Sequence, residues 1–191
     1  MRIRRIAPTV FVIVLSFWLG TVLATQQDDP SAMLPPWMRL GEDHAQLAKS
    51  VGKYDVTGQY WMGPDGPAMP WTAKAERKMI LGGRYLQETM TADFMGQPFE
   101  GWLIQGYDTV AKEHFTIWMD STSPIVATSR GKAVDGVLKM TGDGPDQMTG
   151  QPKKTKSEIR EEGDKVMLTM WDVLPDGKSF KSMELTYTPA K

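Results

Sequence analysis

Arg77, Arg84 and Glu88 are the residues whose type and spacing most demand an explanation. From Arg84 to Phe94 the chain alternates with a period of two, as a half-buried strand does. Arg84, Leu86, Glu88, Met90, Ala92 and Phe94 share one face, and Tyr85, Gln87, Thr89, Thr91 and Asp93 share the other. The first face is apolar except at its two charges, so it is expected to point inward. Arg84 and Glu88 then stand about 13 Å apart along the strand, too far to pair directly. The preceding segment turns Trp71, Ala73, Ala75 and Arg77 to one side as well. A buried guanidinium is costly alone, so each arginine should meet a carboxylate or a bound anion. Two chemistries meet that need. One is an internal ion pair with Glu88, Glu100 or Asp120; the other is an arginine anchor for the acidic head group of a ligand.

Other side chains offer less. The two histidines, His44 and His114, fall short of the three or four ligands a zinc site requires. No G-x-S-x-G elbow supports a Ser-His-Asp hydrolase, although Ser121, Ser123 and Asp120 lie near His114. A hydrolase or isomerase using Glu88, Asp120 or His114 stays open only if such groups meet in an open cleft. Fourteen methionines invite Cu(I), yet Met167 and Met170 fall on opposite faces of a strand. Methionine reads better as adaptable apolar lining, beside Trp71, Trp102, Trp118, Trp171, Tyr54, Tyr60 and Tyr107. Gly82-Gly83 opens no helix and reads as a turn, not a phosphate loop. No catalytic residue, metal or cofactor is assigned.

The elements that must position these groups are almost all strands. A short helix is expected over Gly41 to Ser50, with Glu42 and Asp43 in its first turn and Lys49 near its end, which suits the helix dipole. Leu40, His44, Leu47 and Val51 share its apolar face, and a helix so short needs tertiary packing; it should plug one barrel end. Ten strands follow at regular spacing: Lys53 to Met62, the two described above, Phe99 to Asp108, Glu113 to Asp120, Ile125 to Lys132, Val134 to Thr141, Lys153 to Glu161, Val166 to Val173 and Ser179 to Thr188. Turn chemistry such as Asp135-Gly136 and Pro175-Asp176-Gly177 joins them, with no helix between. The expected fold is all-β, an antiparallel up-and-down barrel wide enough for an internal cavity.

Composition sets the address. Arg2, Arg4 and Arg5 precede an uncharged apolar run from Ile6 to Ala24. That is a signal peptide over residues 1–24 or an uncleaved anchor, and both place the body outside the inner membrane. Residues 25–39 are Pro-rich and read as a flexible linker, leaving 40–191 as one domain. Without its leader the chain carries 19 basic and 23 acidic residues, near −4, which gives nucleic acid no basic stripe to bind. Cysteine is absent, excluding disulfides, thiol catalysis and an N-terminal lipid on cysteine.

Several unusual motifs occur in a recognisable order: His44, Leu47, Val51-Gly52 and Tyr54-Asp55; Met79-Ile-Leu-Gly-Gly-Arg-Tyr85; Met95-Gly-Gln-Pro-Phe-Glu-Gly101; Gly106-Tyr-Asp108 and Trp118-Met-Asp-Ser121. Asp146-Gln-Met-Thr-Gly150, Pro175-Asp-Gly-Lys178 and Met183-Glu-Leu-Thr-Tyr187 complete them. From His44 to Tyr187 the chain resembles the bacterial domain-of-unknown-function family 1579. That resemblance implies a lipocalin-like (calycin) barrel, a fold that usually holds small apolar molecules, and implies no activity. Haem-binding barrels of this kind use one axial histidine, which would bring His114 forward; a strand histidine reads more readily as hydrogen-bonded structure. The expected role is therefore non-enzymatic binding of a small apolar or amphipathic ligand, anionic or not. Arg84, Arg77 and Tyr107, near Glu88, would meet its polar end, with Leu86, Met90, Phe94 and Trp118 along its apolar part. A cavity of about 300 Å³ or more beside Arg84 would favour this reading. The rival is a solid barrel acting structurally or through a protein partner in the cell envelope.

Overall fold

Alternation in the sequence becomes alternation in space. The computed structural model describes residues 33–146 and 149–191; the leader and the first part of the linker lie outside them. A 3-10 turn, Pro36–Met38, and one helix, α1 (Glu42–Lys49), precede ten strands. These are β1 (Gly52–Tyr60), β2 (Met69–Ile80), β3 (Tyr85–Phe94), β4 (Gln97–Asp108), β5 (Glu113–Asp120), β6 (Ser123–Val134), β7 (Val137–Pro145), β8 (Pro152–Glu162), β9 (Lys165–Val173) and β10 (Ser179–Pro189). Each strand pairs antiparallel with the next, and β1 pairs with β10, closing the barrel. Closure leaves no free sheet edge to recruit another chain.

Turn chemistry accounts for most strand boundaries. Asp135 and Gly136 both adopt positive φ (51° and 76°), the geometry of a two-residue hairpin. The strand expected from Val134 therefore begins at Val137, and Val134 ends β6 instead. Leu81, Gly82 and Gly83 are all left-handed, and Arg84 donates its backbone N–H to Ile80. Arg84 thus belongs to this turn and does not share the inward face of β3; it is exposed, contrary to the expectation from alternation.

The inward faces are otherwise as the pattern predicts. Tyr54, Val56, Trp71, Ala73, Ala75, Met90, Phe99, Val166, Leu185 and Tyr187 form one buried cluster. Close packing has a sequence cost at two positions. A Cβ at Gly101 would collide with the Trp118 indole, and one at Gly58 with the β10 backbone at Glu184.

Within this cluster lies the ion pair. Arg77 and Glu88 are direct cross-strand partners on β2 and β3, with Nε to Oε2 at 2.5 Å. The Tyr187 hydroxyl donates to the other Glu88 oxygen at 3.3 Å, and the guanidinium lies 4.3 Å from the Tyr187 ring centroid and 5.2 Å from that of Tyr54. Burial opposes the Arg77 charge, but Glu88 outweighs it and holds the guanidinium above its ordinary pKa. Removing one partner strands the other in an apolar interior. Arg77→Met is expected to cost about 3–5 kcal/mol in urea unfolding, while Arg77→Met with Glu88→Leu should recover most of it. A single variant as stable as wild type would contradict this account.

Candidate functional site

The two barrel ends are built differently. At the end where β1 starts and β2 finishes, α1 packs against β2, β3 and β4. Its His44 and Leu47 are buried; Leu40 and Val51, expected on the same face, stay exposed. Asp43 reaches the buried His114 of β5, with Oδ1 3.4 Å from Nε2. Tyr107 stands between the histidines, its ring 6.1 Å from His44 and 5.0 Å from His114. His44 Nδ1 accepts the backbone N–H of Gly41 at 3.1 Å and so caps its own helix. Beside this cluster, Arg84, Tyr85 and Tyr107 meet Trp37 and Leu40 around a cavity of about 250 Å³. Part of the segment read as a linker docks here, since Thr109 donates to the Trp37 carbonyl at 2.5 Å.

The opposite end has no such plug among the described residues. On β1 to β4 the inward residues are mostly buried, among them Val56, Ala73, Leu86 and Met90. On β5 to β9 they are not. Thr116, Trp118, Ser129, Thr155, Leu168 and Met170 all point inward by register yet stay partly exposed, and inward-facing Ala127 is exposed outright. In a closed barrel an inward side chain meets solvent through the lumen or its mouth, so this wall is less closely packed than the one opposite. Toward the open end an aromatic group lines it: Tyr60, Trp71, Phe94, Phe99 and Trp118, with neighbouring centroids 5.2 to 6.5 Å apart. The Trp71 indole N–H is buried there without an acceptor.

Charge at that mouth is mainly negative. Lys153 bonds Asp172 at 2.8 Å and Asp146 at 3.2 Å. Burial would lower its pKa, but the two carboxylates raise it, so the lysine stays charged. Asp120 accepts from Trp118 Nε1 at 2.9 Å and from Thr122. Among the described residues whose side chains point into this mouth, Asp120, Asp146 and Asp172 stand with Lys153.

The residues expected to form one site are divided among three places. Arg77 and Glu88 neutralise one another in the core with Leu86 and Met90 buried nearby, Arg84 and Tyr107 flank the small cavity at the helix end, and Phe94 and Trp118 belong to the aromatic group. The internal-pair alternative describes Arg77; Arg84 lies outside the lumen, beside less than the 300 Å³ named above. For the hydrolase reading, His114 does meet a carboxylate, but it is Asp43, in a seam closed by α1; Glu88 is sequestered by Arg77 and Tyr187, and Asp120 lies at the other end. Among the described residues no cluster of three or more His, Asp or Glu side chains could hold a metal ion. Sequence reasoning missed Asp43, whose only signal was its place in the helix first turn, and Lys153–Asp172, whose strands pair in a register that composition does not reveal.

A closed antiparallel up-and-down barrel with one short helix packed at one end is lipocalin-like in architecture. A family model described as "Protein of unknown function (DUF1579)" matches residues 39–189, and the chain belongs to that family. No curated protein matches it.

Both histidines are held below their usual pKa, chiefly by burial. As pH falls through about 6.5 the unfolded chain takes up protons first, so their contribution is complete above that value and lost below it until the lowered folded values are reached. Each adds a slope of at most about 1.4 kcal/mol per pH unit. Urea midpoints followed from about pH 8 to about pH 5 should drop less steeply in a His44→Gln, His114→Gln variant than in wild type. Parallel profiles would show that the histidines do not govern the helix seam.

Proposed function

We propose that this is an exported, non-enzymatic binding barrel that takes a small, largely apolar molecule into its lumen through the end away from α1. The observation that carries the reading is the contrast in exposure between the inward faces of β1 to β4 and of β5 to β9. A filled core would bury both; a lumen with one packed wall and one accessible wall is what a pre-formed apolar site requires. Trp118 and Phe94 would contact the apolar body of the ligand, with Trp71 offering its N–H to an oxygen. Arg77 and Glu88 would hold the wall, not the ligand. The basic, apolar leader supports a place outside the cytoplasm, in the periplasm, secreted, or tethered to the inner membrane.

Charge narrows the head group. Among the described residues Asp120 and Asp172 join Asp146 around Lys153 at the mouth, and the aromatic faces below them suit an ammonium group better than a carboxylate. The polar end of the ligand is thus neutral or cationic. Titration with decanol, decyltrimethylammonium and decyl sulfate, read by tryptophan fluorescence, separates tail from head. The neutral and cationic compounds should bind at least about tenfold more tightly than the sulfate, and Ala127→Trp, which fills the hollow side, should weaken them by a similar factor. If none of the three binds, the lumen reading fails; if the sulfate binds best, the lumen binds but its charge preference is the reverse.

A further inference from the structure

A second hollow lies on the outside of the barrel. Its residues come from consecutive strands in register: Arg130 of β6 pairs with Thr141 of β7, Thr141 with Lys156 of β8, and Lys156 with Trp171 of β9. All four face outward, because their neighbours Gly131, Met140, Ser157 and Met170 form the inward row. With Lys139, Glu158 and Ser179 they border an open hollow of about 450 Å³. Two glycines shape the strands beneath it. A Cβ at Gly131 would collide with the Lys139 carbonyl, and one at Gly142 would press on the Ser129 and Thr155 hydroxyls. Only glycine permits the strands to approach so closely, and Gly131 lies in the floor of the hollow.

Its chemistry is basic and aromatic. Lys139 is in no ion pair among the described residues, and Lys156 reaches only the Ser179 hydroxyl, at 3.4 Å. Arg130 is tied to Glu113 at 2.9 Å and Asp108 at 3.5 Å, which fixes its guanidinium in place. Glu158, the one carboxylate in the lining, is engaged by Arg160. The charge extends beyond the cavity. Outward positions on β6 to β9 carry seven basic and three acidic residues, whereas those on β1 to β5 carry three basic and six acidic. A chain of formal net charge −1 thus collects its positive charge around this hollow.

We propose that the hollow is a binding site for a phosphorylated ring compound, a nucleotide or a sugar phosphate, independent of the lumen. The ring lies against Trp171, its phosphate sits between Lys139 and Lys156, and the Thr141 and Ser179 hydroxyls meet the ring's polar atoms. Lysine supplies point charge, and the indole supplies a flat apolar face that suits a base or the apolar face of a sugar. Phosphate alone lacks the stacking partner, and an uncharged ring lacks the cations, so the two parts are needed together.

Calorimetric titration of the folded protein with AMP and with glucose 6-phosphate, against adenosine, glucose and inorganic phosphate, tests this. At least one phosphorylated ring should bind about tenfold or more tightly than either of its separate parts, and less tightly as salt is raised. Which one binds identifies the source. Lys139→Ala with Lys156→Ala should weaken it about tenfold or more, as should Trp171→Leu, while Ala127→Trp in the lumen leaves it unchanged. The two lysines are exposed and their removal leaves the core intact, so the test stands even if the Trp171 variant fails to fold. The proposal is overturned if neither phosphorylated ring binds, if inorganic phosphate binds as well as they do, or if the lysine variant binds like wild type.

Discussion

A guanidinium and a carboxylate buried against two tyrosines decide how this barrel can close. Arg77 and Glu88 belong to β2 and β3, while Tyr54 and Tyr187 come from β1 and β10, the strands that meet at the seam. A slip of one residue in any of these pairings would turn one partner outward and leave the other bare in apolar surroundings. The correct register gives each charge its counterpart and gives the Tyr187 hydroxyl, whose pKa burial and Glu88 push upward, an acceptor. A buried ion pair is weak evidence for net stability, but every wrong register here would leave a bare charge in the apolar interior. Fixing register is the best-attested use of a polar group in an apolar core.

From that locked wall the asymmetry of the lumen follows. Small residues at 73, 75 and 101 leave room for Met90 and for the Trp118 indole of β5 to pack on the buried cluster, so most of that side is buried. Across the lumen, Thr116, Ser129, Thr155 and Ser157 are short and polar and cannot fill a ten-stranded cross-section. They hydrogen-bond readily to water, so a wetted lumen there costs little. The helix closes only the end where His114 and Tyr107 await it, because Asp43 finds a partner in the buried imidazole there.

Much of this was legible beforehand. Period-two alternation named the inward residues of β2 and β3, glycine and aspartate marked the hairpins, and ten strands with no intervening helix specified an antiparallel barrel. Alternation failed at Arg84, because three successive left-handed residues separate it from the strand whose rhythm it seemed to share. The pattern also left the partner of Arg77 open among Glu88, Glu100 and Asp120. Pairing between strands is set by loop length and packing, and only the realised register placed Glu88 opposite. The outer hollow was illegible for a related reason. Arg130, Thr141, Lys156 and Trp171 are spread over about forty residues of sequence and read singly as solvated surface; they become a row only when four strands align.

The same alignment separates charge in a way that net charge conceals. Acidic residues gather inside the open mouth and on the outer face of β1 to β5, and basic residues on the outer face of β6 to β9. Because strands alternate their faces, Lys153 and Lys154, adjacent in sequence, serve opposite environments: one balances Asp172 within the lumen and the other adds to the basic surface outside. Across this part of the barrel wall the charge thus reverses within one strand thickness, acidic at the inner mouth and basic on the outer face.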